Sequence, residues 1–345
     1  MIRWLRREKP PPPHAVPNPP RAETATPNAE HVLRRLEWSV LKRLDGQLLG
    51  DYRTLMRGSG LDLADLREYQ MHDDVRHIDW NVTARMQNPH VRVFTEDREM
   101  AAWFLLDLSP SVDFGSGPQR KRQVSAEFVA VLARLLTRHG NRVGALLYAA
   151  GVEKMIPARA SRQHVLHLLH AMQSVQPAAT TKKEAARARQ SSAGGTKLSE
   201  LLLAAANTIR RRSTIFVVSD FISEPGWEKP LGQLATRHEV VAVRLTDPLE
   251  LALPDLGLLT LRDAETGEQL LVDTHSPAFR RRFAAIAAQR EAELRGSLAR
   301  AGVDTLELST DDDLASAILR FTDLRRQRAR VAAGGGMPAH LRKTA

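Results

Sequence analysis

The chain has 345 residues, of which 43% are hydrophobic, a formal net charge of +10 and no cysteine. This length is enough to bury one substantial α/β core and a smaller appendage, and the lack of cysteine excludes disulfides, thiolate catalysis and Cys-ligated zinc. No run reaches the roughly 18 apolar residues of a membrane helix, and the N-terminus lacks the apolar segment of a signal peptide, so we expect a cytoplasmic protein.

The N-terminal region is predicted to hold a leader and a small subdomain. Residues 1–30 are Pro-rich and polar, which is typical of an extended, disordered segment. Residues 31–98 begin with an amphipathic helix, because Leu33, Val40 and Leu44 recur at helical spacing. The helix leads into a segment of short turns and extended pieces, and we expect both to form one subdomain beside the main domain.

That subdomain carries a dense mixture of charges. The side chains that stand out are Arg67, Glu68, Asp74, Arg76, Asp79, Trp80 and Arg85. Bidentate contacts between arginine and carboxylate groups fix geometry, so one interpretation is a paired network that holds an irregular segment together. The other interpretation is a docking surface for a protein partner. The sequence leaves both open.

Residues 99–325 alternate between apolar runs and amphipathic helical segments. Strands are predicted at 101–107, 142–148, 152–156, 214–219, 239–245 and 303–308, and helices at 119–138, 162–175, 197–211, 279–298 and 311–325. Strands that alternate with helices predict an α/β fold with a doubly wound, mostly parallel sheet. The short connection at 148–152 predicts one antiparallel hairpin at the edge of that sheet.

Three segments depart from this alternation. Residues 177–195 are rich in Ala, Lys, Arg and Ser and end in two glycines, which predicts a mobile loop before Thr196. Residues 258–275 contain two apolar runs around a turn, which predicts an inserted β-hairpin. Residues 326–345 are predicted to be a basic, flexible tail.

Oxygen-bearing side chains follow two of the predicted strands. Asp107 and Asp220 each come directly after or close to the end of an apolar run that is typical of a buried parallel strand. Open α/β sheets bind ligands at the carboxyl ends of their strands. Ser109 and Ser111 alternate with Asp107, so these three side chains point the same way if the chain stays extended.

Together with Thr196, these side chains form a donor set made only of oxygen atoms. Such a set suits a small, hard cation, namely Mg²⁺, with Mn²⁺ or Ca²⁺ as alternatives. A set of this size leaves part of the coordination shell vacant. The sequence therefore predicts a divalent-metal site formed by Asp107, Ser109, Ser111, Thr196 and Asp220.

This pattern resembles the metal-ion-dependent adhesion site of von Willebrand factor A domains. In that family, Asp-x-Ser-x-Ser is followed by a distant Thr in a Gly-containing loop and by a later Asp at a strand end, and all five positions are filled here. The resemblance implies a von Willebrand factor A-like fold in which an acidic side chain of a protein partner completes the coordination of the metal. It therefore implies adhesion and not catalysis.

A second resemblance lies upstream. The segments Gly58–Tyr69, Asp73–Trp80 and Thr83–Arg85 resemble the family called domain of unknown function 58, which joins such a block to an A-type domain. The departures at His72 and Val112 involve no proposed ligand. Members of that family are often encoded beside AAA+ ATPases of the MoxR group, so the resemblance implies a non-catalytic adaptor or co-chaperone that works with such an ATPase.

Three other functions stay open. The same pocket suits a Mg²⁺-dependent hydrolase or phosphotransferase in which Lys197 or Arg85 offsets charge, although the sequence has no phosphate loop, zinc-protease motif or evident nucleophile. The arginine clusters at 280–282 and 325–330 suit nucleic acid, although most arginines are interleaved with acidic residues. The last is a structural domain with a vestigial metal site.

Overall fold

The computed structural model describes the following parts of the chain: residues 29–41, 44, 63–71, 73, 75, 78–94, 101–175, 196–262 and 269–332. The predicted mobile loop at 177–195 lies outside these residues, as do most of the predicted leader and the last part of the predicted tail. Among the described helices, none combines the length and the apolar character that crossing a membrane requires.

The N-terminal region starts with helix α1 (Ala29–Leu36), which continues into a π-helical turn at Glu37–Leu41. Leu33, Leu36 and Leu44 are buried, so the predicted apolar face is confirmed, and it packs in the core of the main domain. The π-helical turn is a difference from the sequence analysis, which predicted a regular helix through this segment.

The block after this helix contains a β-hairpin and a short helix. Strand β1 (Leu63–Glu68) pairs antiparallel with β2 (His90–Phe94), and helix α2 (Trp80–Met86) lies between them. The sequence analysis did not predict α2. Its N-cap explains it, because the Asp79 carboxylate accepts hydrogen bonds from the backbone N–H groups of Asn81 and Val82 at 3.0 and 3.2 Å.

The main domain is built on a six-stranded sheet. Its strands in chain order are β3 (Ala101–Asp107), β4 (Arg142–Tyr148), β5 (Val152–Arg159), β6 (Thr214–Ser219), β7 (Glu239–Thr246) and β10 (Asp304–Ser309). They are arranged in the order β10-β7-β6-β3-β4-β5, and within the described sheet β5 alone runs antiparallel. The prediction of a doubly wound, mostly parallel sheet with one antiparallel edge hairpin is confirmed.

The helices that follow α2 cover both faces of this sheet. They are α3 (Lys121–Arg138), α4 (Arg162–Ser174), α5 (Leu198–Thr208), α6 (Glu228–Arg237), α7 (Pro248–Leu251), α8 (Pro277–Arg300) and α9 (Leu314–Ala332). The sequence analysis missed α6, whose Pro230 and Gly232 are poor helix formers. It also ended α9 at residue 325, whereas the helix continues to Ala332 and thus into the predicted tail.

The core follows the two-residue period of the strands. Phe104 faces α1, α3, α4 and α9, where its ring stacks on that of Phe216 at a centroid distance of 5.3 Å. Trp103 and Leu105 face α5, α6 and α8 on the other side. Alternate residues of one strand therefore belong to two separate cores, as they must in a sheet covered on both faces.

The described sheet has its topological switch point between β3 and β6. The chain proceeds from β3 towards β5 on one side and from β6 towards β10 on the other, so the connections diverge between the two central strands. In open α/β sheets, ligands bind in the crevice at that point, beyond the carboxyl ends of the strands. Separately, β8 (Leu258–Arg262) and β9 (Gln269–Asp273) pair as an antiparallel hairpin within the predicted insertion.

Candidate metal centre and its relatives

The two aspartates of the predicted site lie at the switch point. Asp107 ends β3 and Asp220 follows β6, and these strands are paired with Leu106 opposite Val218. Both aspartates are buried. The sheet register thus brings together two carboxylates that are far apart in sequence, as the strand-end argument expected.

The Asp107 carboxylate is held by hydrogen bonds at both oxygens. Its Oδ1 accepts from the backbone N–H of Ser109 at 3.0 Å, and its Oδ2 accepts from the Ser219 hydroxyl at 2.6 Å. Burial, and then the charge of Asp220, raise the pKa of Asp107 to about 6, although these hydrogen bonds act in the opposite direction. The site is therefore short of positive charge near Asp107.

The two serines meet each other inside the protein. Ser109 and Ser111 are buried, and their Oγ atoms lie 3.1 Å apart. The extended conformation assumed in the sequence analysis is wrong beyond Ser109, because a 3-10 turn runs from Pro110 to Asp113 and proline favours the first position of such a turn. The turn nevertheless brings the hydroxyl groups together.

Thr196 is buried just before α5, and its backbone is tied to the segment that follows Asp220. The Thr196 carbonyl accepts hydrogen bonds from the Ser223 hydroxyl at 2.7 Å and from the Glu224 N–H at 2.8 Å. The next residue, Lys197, donates its backbone N–H to the hydroxyl of Tyr148, the last residue of β4, at 3.0 Å. Thr196 therefore lies at the same end of the sheet as the aspartates.

A buried lysine that the sequence analysis missed contacts one of these aspartates. The Nζ atom of Lys121 lies 2.7 Å from Asp220 Oδ2 and 2.6 Å from Glu250 Oε1, and its side chain is 1% exposed. Burial lowers the pKa of Lys121, but the charges of Asp220 and Glu250 outweigh this effect and raise it. The sequence analysis predicted this helix from residue 119, so it did not mark Lys121 as the first helical residue, where a lysine opposes the helix dipole.

The second partner of Lys121, the partly exposed Glu250, belongs to a hydrogen-bonded network after β7. Asp247 and Glu250 form the capping box of α7, in which Glu250 Oε2 accepts from the Asp247 N–H at 3.2 Å. Burial raises the pKa of Glu250, against the effect of the Lys121 charge. Asp247 Oδ2 accepts from the Ser116 N–H at 2.9 Å and from the Thr310 hydroxyl at 2.7 Å, which ties three loops together.

The donor set fits a divalent cation. The described residues contain no group of three or more His, Cys, Asp or Glu side chains arranged for a metal, so any metal here depends on hydroxyl donors as well. The site has a net charge of −2 when three carboxylates and one ammonium group are ionised, namely those of Asp107, Asp220, Glu250 and Lys121. A divalent cation would balance this charge. Oxygen donors alone, in a buried site, suit Mg²⁺.

The predicted docking residues have several roles. The Arg67 guanidinium makes two hydrogen bonds to the Asp73 carboxylate, at 2.8 and 2.6 Å, and Glu68 accepts from the Asn88 side-chain amide at 3.1 Å. Asp79 caps α2 and is buried. These contacts stabilise the block itself, in line with the structural interpretation of its charges.

The remaining docking residues divide into two groups. Trp80 is 70% exposed at the start of α2, and Arg85 is exposed in the last turn of that helix. Asp74 and Arg76 lie outside the described residues. The docking role of the whole set stays a prediction.

Comparison with known proteins shows the family. The family model described as "Protein of unknown function DUF58" matches residues 65–293. The chain belongs to the DUF58 family. Uncharacterized proteins of Mycobacterium bovis and Mycobacterium tuberculosis are each 37% identical to it over 320 residues, which cover 91% of this chain and 96% of the relative.

Solved structures similar to this DUF58 chain have low sequence identity. An aerotolerance-related membrane protein from Bacteroides fragilis has a TM-score of 0.41 and 14% identity, with coverage of 66% of this chain and 98% of that one. A von Willebrand factor type A protein from Catenulispora acidiphila has a TM-score of 0.32 and 11% identity, with coverage of 67% and 43%. The doubly wound fold of this DUF58 member follows from its own strand order.

Proposed function

We propose that this protein is a non-catalytic, metal-dependent protein-binding module that acts as an adaptor or co-chaperone for a MoxR-type AAA+ ATPase during assembly or maturation of protein complexes. Membership of the DUF58 family supports the adaptor role through the family resemblance described above. The metal would be Mg²⁺, held by Asp107, Ser109, Ser111, Thr196 and Asp220. A bound Mg²⁺ would supply a position for a carboxylate oxygen of the partner.

One observation carries the proposal: two buried carboxylates end neighbouring strands at the switch point, next to a pair of buried hydroxyls. Burying charge without compensation is costly, and Lys121 compensates Asp220 but makes no ion pair with Asp107, so the carboxylate of Asp107 favours a bound cation. The hydrogen bonds at both oxygens of Asp107 fix its orientation before any ligand arrives. A preorganised site of this kind favours binding because little ordering remains to be done.

The contacts of the neighbouring side chains favour binding over catalysis. The hydroxyls of Ser109 and Ser111 are hydrogen-bonded to each other, and the carboxylate that the Ser109 hydroxyl also contacts, Asp107, is itself a proposed ligand of the metal. Lys121 is held between two carboxylates, so it stays protonated and is a poor general base. These contacts favour a docking site over the hydrolase alternative.

Each arginine cluster contains an arginine with an acidic partner in the structure. Arg325 is buried and pairs with Asp304 at 3.0 Å, and Arg280 pairs with Asp255 at 2.9 Å. An arginine engaged in this way is less available to neutralise a phosphate. These pairs favour a protein partner over nucleic acid.

The test measures binding of a purified MoxR-type ATPase from the same genome to the wild type and to Asp107→Asn, both in Mg²⁺. Chelation alone is ambiguous, because an AAA+ ATPase needs Mg²⁺ for its own nucleotide. The matched control is Asp113→Asn, which removes a charge from the same turn at a partly exposed carboxylate that pairs with Arg120. We expect Asp107→Asn to lose binding and the control to keep it.

Equal binding by the wild type and Asp107→Asn would contradict metal-mediated docking. A folded wild type that takes up no Mg²⁺ in calorimetry would contradict the metal site itself. Binding of a different protein that still requires both Mg²⁺ and Asp107 would retain the docking mechanism and refute the MoxR assignment.

A further inference from the structure

We infer that Lys121 is a tethered counter-ion that weakens divalent-metal binding at this site and keeps the metal-free protein folded, so that the metal binds reversibly. The inference rests on the proposed function, because it concerns the same metal. It assigns a role to two residues outside the donor set, Lys121 and Glu250, and it makes their effects on metal affinity opposite in sign.

The first step is the position of the ammonium group. Lys121 Nζ lies within 2.7 Å of an oxygen of Asp220, and its side chain is 1% exposed, so water scarcely screens its charge. A divalent cation bound by Asp220 would lie near this ammonium group. The two cations repel each other strongly in a buried site, and the metal therefore binds less tightly than the aspartates alone would allow.

The second step is that the backbone fixes this position. The Lys121 N–H donates to the Phe114 carbonyl at 2.9 Å, and the Phe114 ring lies 5.9 Å from Nζ. Lys121 is also the first residue of α3, a helix of 18 residues that packs in the core. Since the loop after the serine motif and the helix both hold the lysine, its charge is a permanent part of the site.

The third step concerns the metal-free state. A buried carboxylate without a counter-charge destabilises a fold, and removing one partner of a buried ion pair is strongly unfavourable. Asp220 Oδ2 has Lys121 as its partner, and Oδ1 accepts from the Ile222 N–H at 3.0 Å. Asp220 is therefore satisfied without a metal. Metal release then leaves the structure around Asp220 intact.

The fourth step is the opposing role of Glu250. Its Oε1 lies 2.6 Å from Lys121 Nζ, so its negative charge offsets part of the lysine charge. Glu250 belongs to α7 and is not one of the proposed ligands. Removing its charge leaves the lysine to repel the metal more strongly. Removing both charges restores the net charge of the wild-type site.

The experiment titrates Mg²⁺ by calorimetry into the wild type, Asp107→Asn, Lys121→Met, Glu250→Gln and the double variant of Lys121 and Glu250, and follows unfolding of each in chelator. We expect Lys121→Met to bind Mg²⁺ more tightly by roughly tenfold or more, because the charges are close and buried. We expect Glu250→Gln to bind more weakly by a similar factor, and the double variant to approach the wild type. Glu153→Gln, on an exposed part of β5, is the charge-matched control for Glu250→Gln.

The chelator measurements separate the two roles of the lysine. Lys121→Met should be less stable than the wild type without metal, and Mg²⁺ should restore most of the difference. If this variant is too unstable to titrate, Glu250→Gln still decides the matter, because unchanged or tighter Mg²⁺ binding by Glu250→Gln would overturn the inference. Weaker Mg²⁺ binding by folded Lys121→Met would overturn it too, since the lysine would then only position Asp220.

This experiment also distinguishes the inference from the proposed function. If the folded wild type and every variant fail to bind Mg²⁺, the proposed metal site fails and the inference fails with it. If the wild type binds Mg²⁺ and Asp107→Asn does not, but the Lys121 and Glu250 variants match the wild type, the proposed function survives and the inference alone is refuted.

Discussion

Replacing Asp107 with asparagine should stabilise the metal-free protein at neutral pH. The side-chain carbonyl of the introduced asparagine can still accept from the Ser109 N–H, and its amide can donate to the Ser219 hydroxyl, so both contacts of the wild type have a counterpart. The buried charge is removed, and the buried Ser219 hydroxyl becomes an acceptor in this contact instead of a donor. Because that charge is the unfavourable feature of the metal-free site, the free energy of unfolding should rise.

The size of the effect follows from the pKa of Asp107, which burial and Asp220 raise from 3.8 to about 6. Each unit corresponds to about 1.4 kcal/mol, so the gain should approach about 3 kcal/mol at high pH. A raised pKa in the folded state means that the wild type loses stability as pH rises through about 6, whereas below 3.8 nothing is lost. The advantage of Asp107→Asn should therefore be small near pH 4 and largest above pH 7.

The assay is urea unfolding in chelator at a series of pH values from about 4.5 to about 8, with Asp113→Asn as the partly exposed control. That control should follow the wild-type curve. Adding Mg²⁺ should then stabilise the wild type by about 2.7 kcal/mol at a concentration of 100 times the dissociation constant, and leave Asp107→Asn nearly unchanged. A stability difference between Asp107→Asn and wild type that does not vary with pH would refute the reasoning.

Three further predictions concern parts of the fold around the site. Asp247→Ala should cost about 2–4 kcal/mol, because it removes a helix cap and leaves the buried hydroxyl of Thr310, together with the N–H of Ser116, without its acceptor. Hydrogen bonds outweigh burial and lower the pKa of Asp247 below 3.8. The stability that its carboxylate contributes is therefore present above that pH and is lost as the pH falls below it. Urea unfolding at a series of pH values should show a smaller stability difference between the wild type and Asp247→Ala in acid. Phe104→Ala should cost about 3–5 kcal/mol in the same assay, since a fully buried ring is replaced by a cavity; a cost under about 1 kcal/mol would contradict the packing described. Asp79→Ala should cost about 1 kcal/mol by removing the cap of α2, while Asp79→Asn should retain most of it, and amide hydrogen exchange of Asn81 and Val82 should report the difference.

The candidate site is divided between local and long-range determinants. Asp107 and Ser109 are linked over two residues, and the strand-end pattern was sufficient to single them out. The contacts of Lys121 with Asp220 and Glu250 span 99 and 129 residues, and no local pattern joins these positions. Similarly, the hydrogen bond from the Ser116 N–H to the Asp247 carboxylate spans 131 residues. The charge balance of the site could therefore not be predicted from the sequence.

The strands, and the strand ends at which the candidate ligands lie, follow from the sequence alone. Buried parallel strands are continuous apolar runs, so β3, β4 and β6 were found with their observed bounds. Short helices such as α2 and α6 were not predicted from the sequence, because caps and packing, and not propensity, stabilise them. Which charges meet depends on the folded sheet, because the energy of a buried charge is set by neighbours that come from distant parts of the chain.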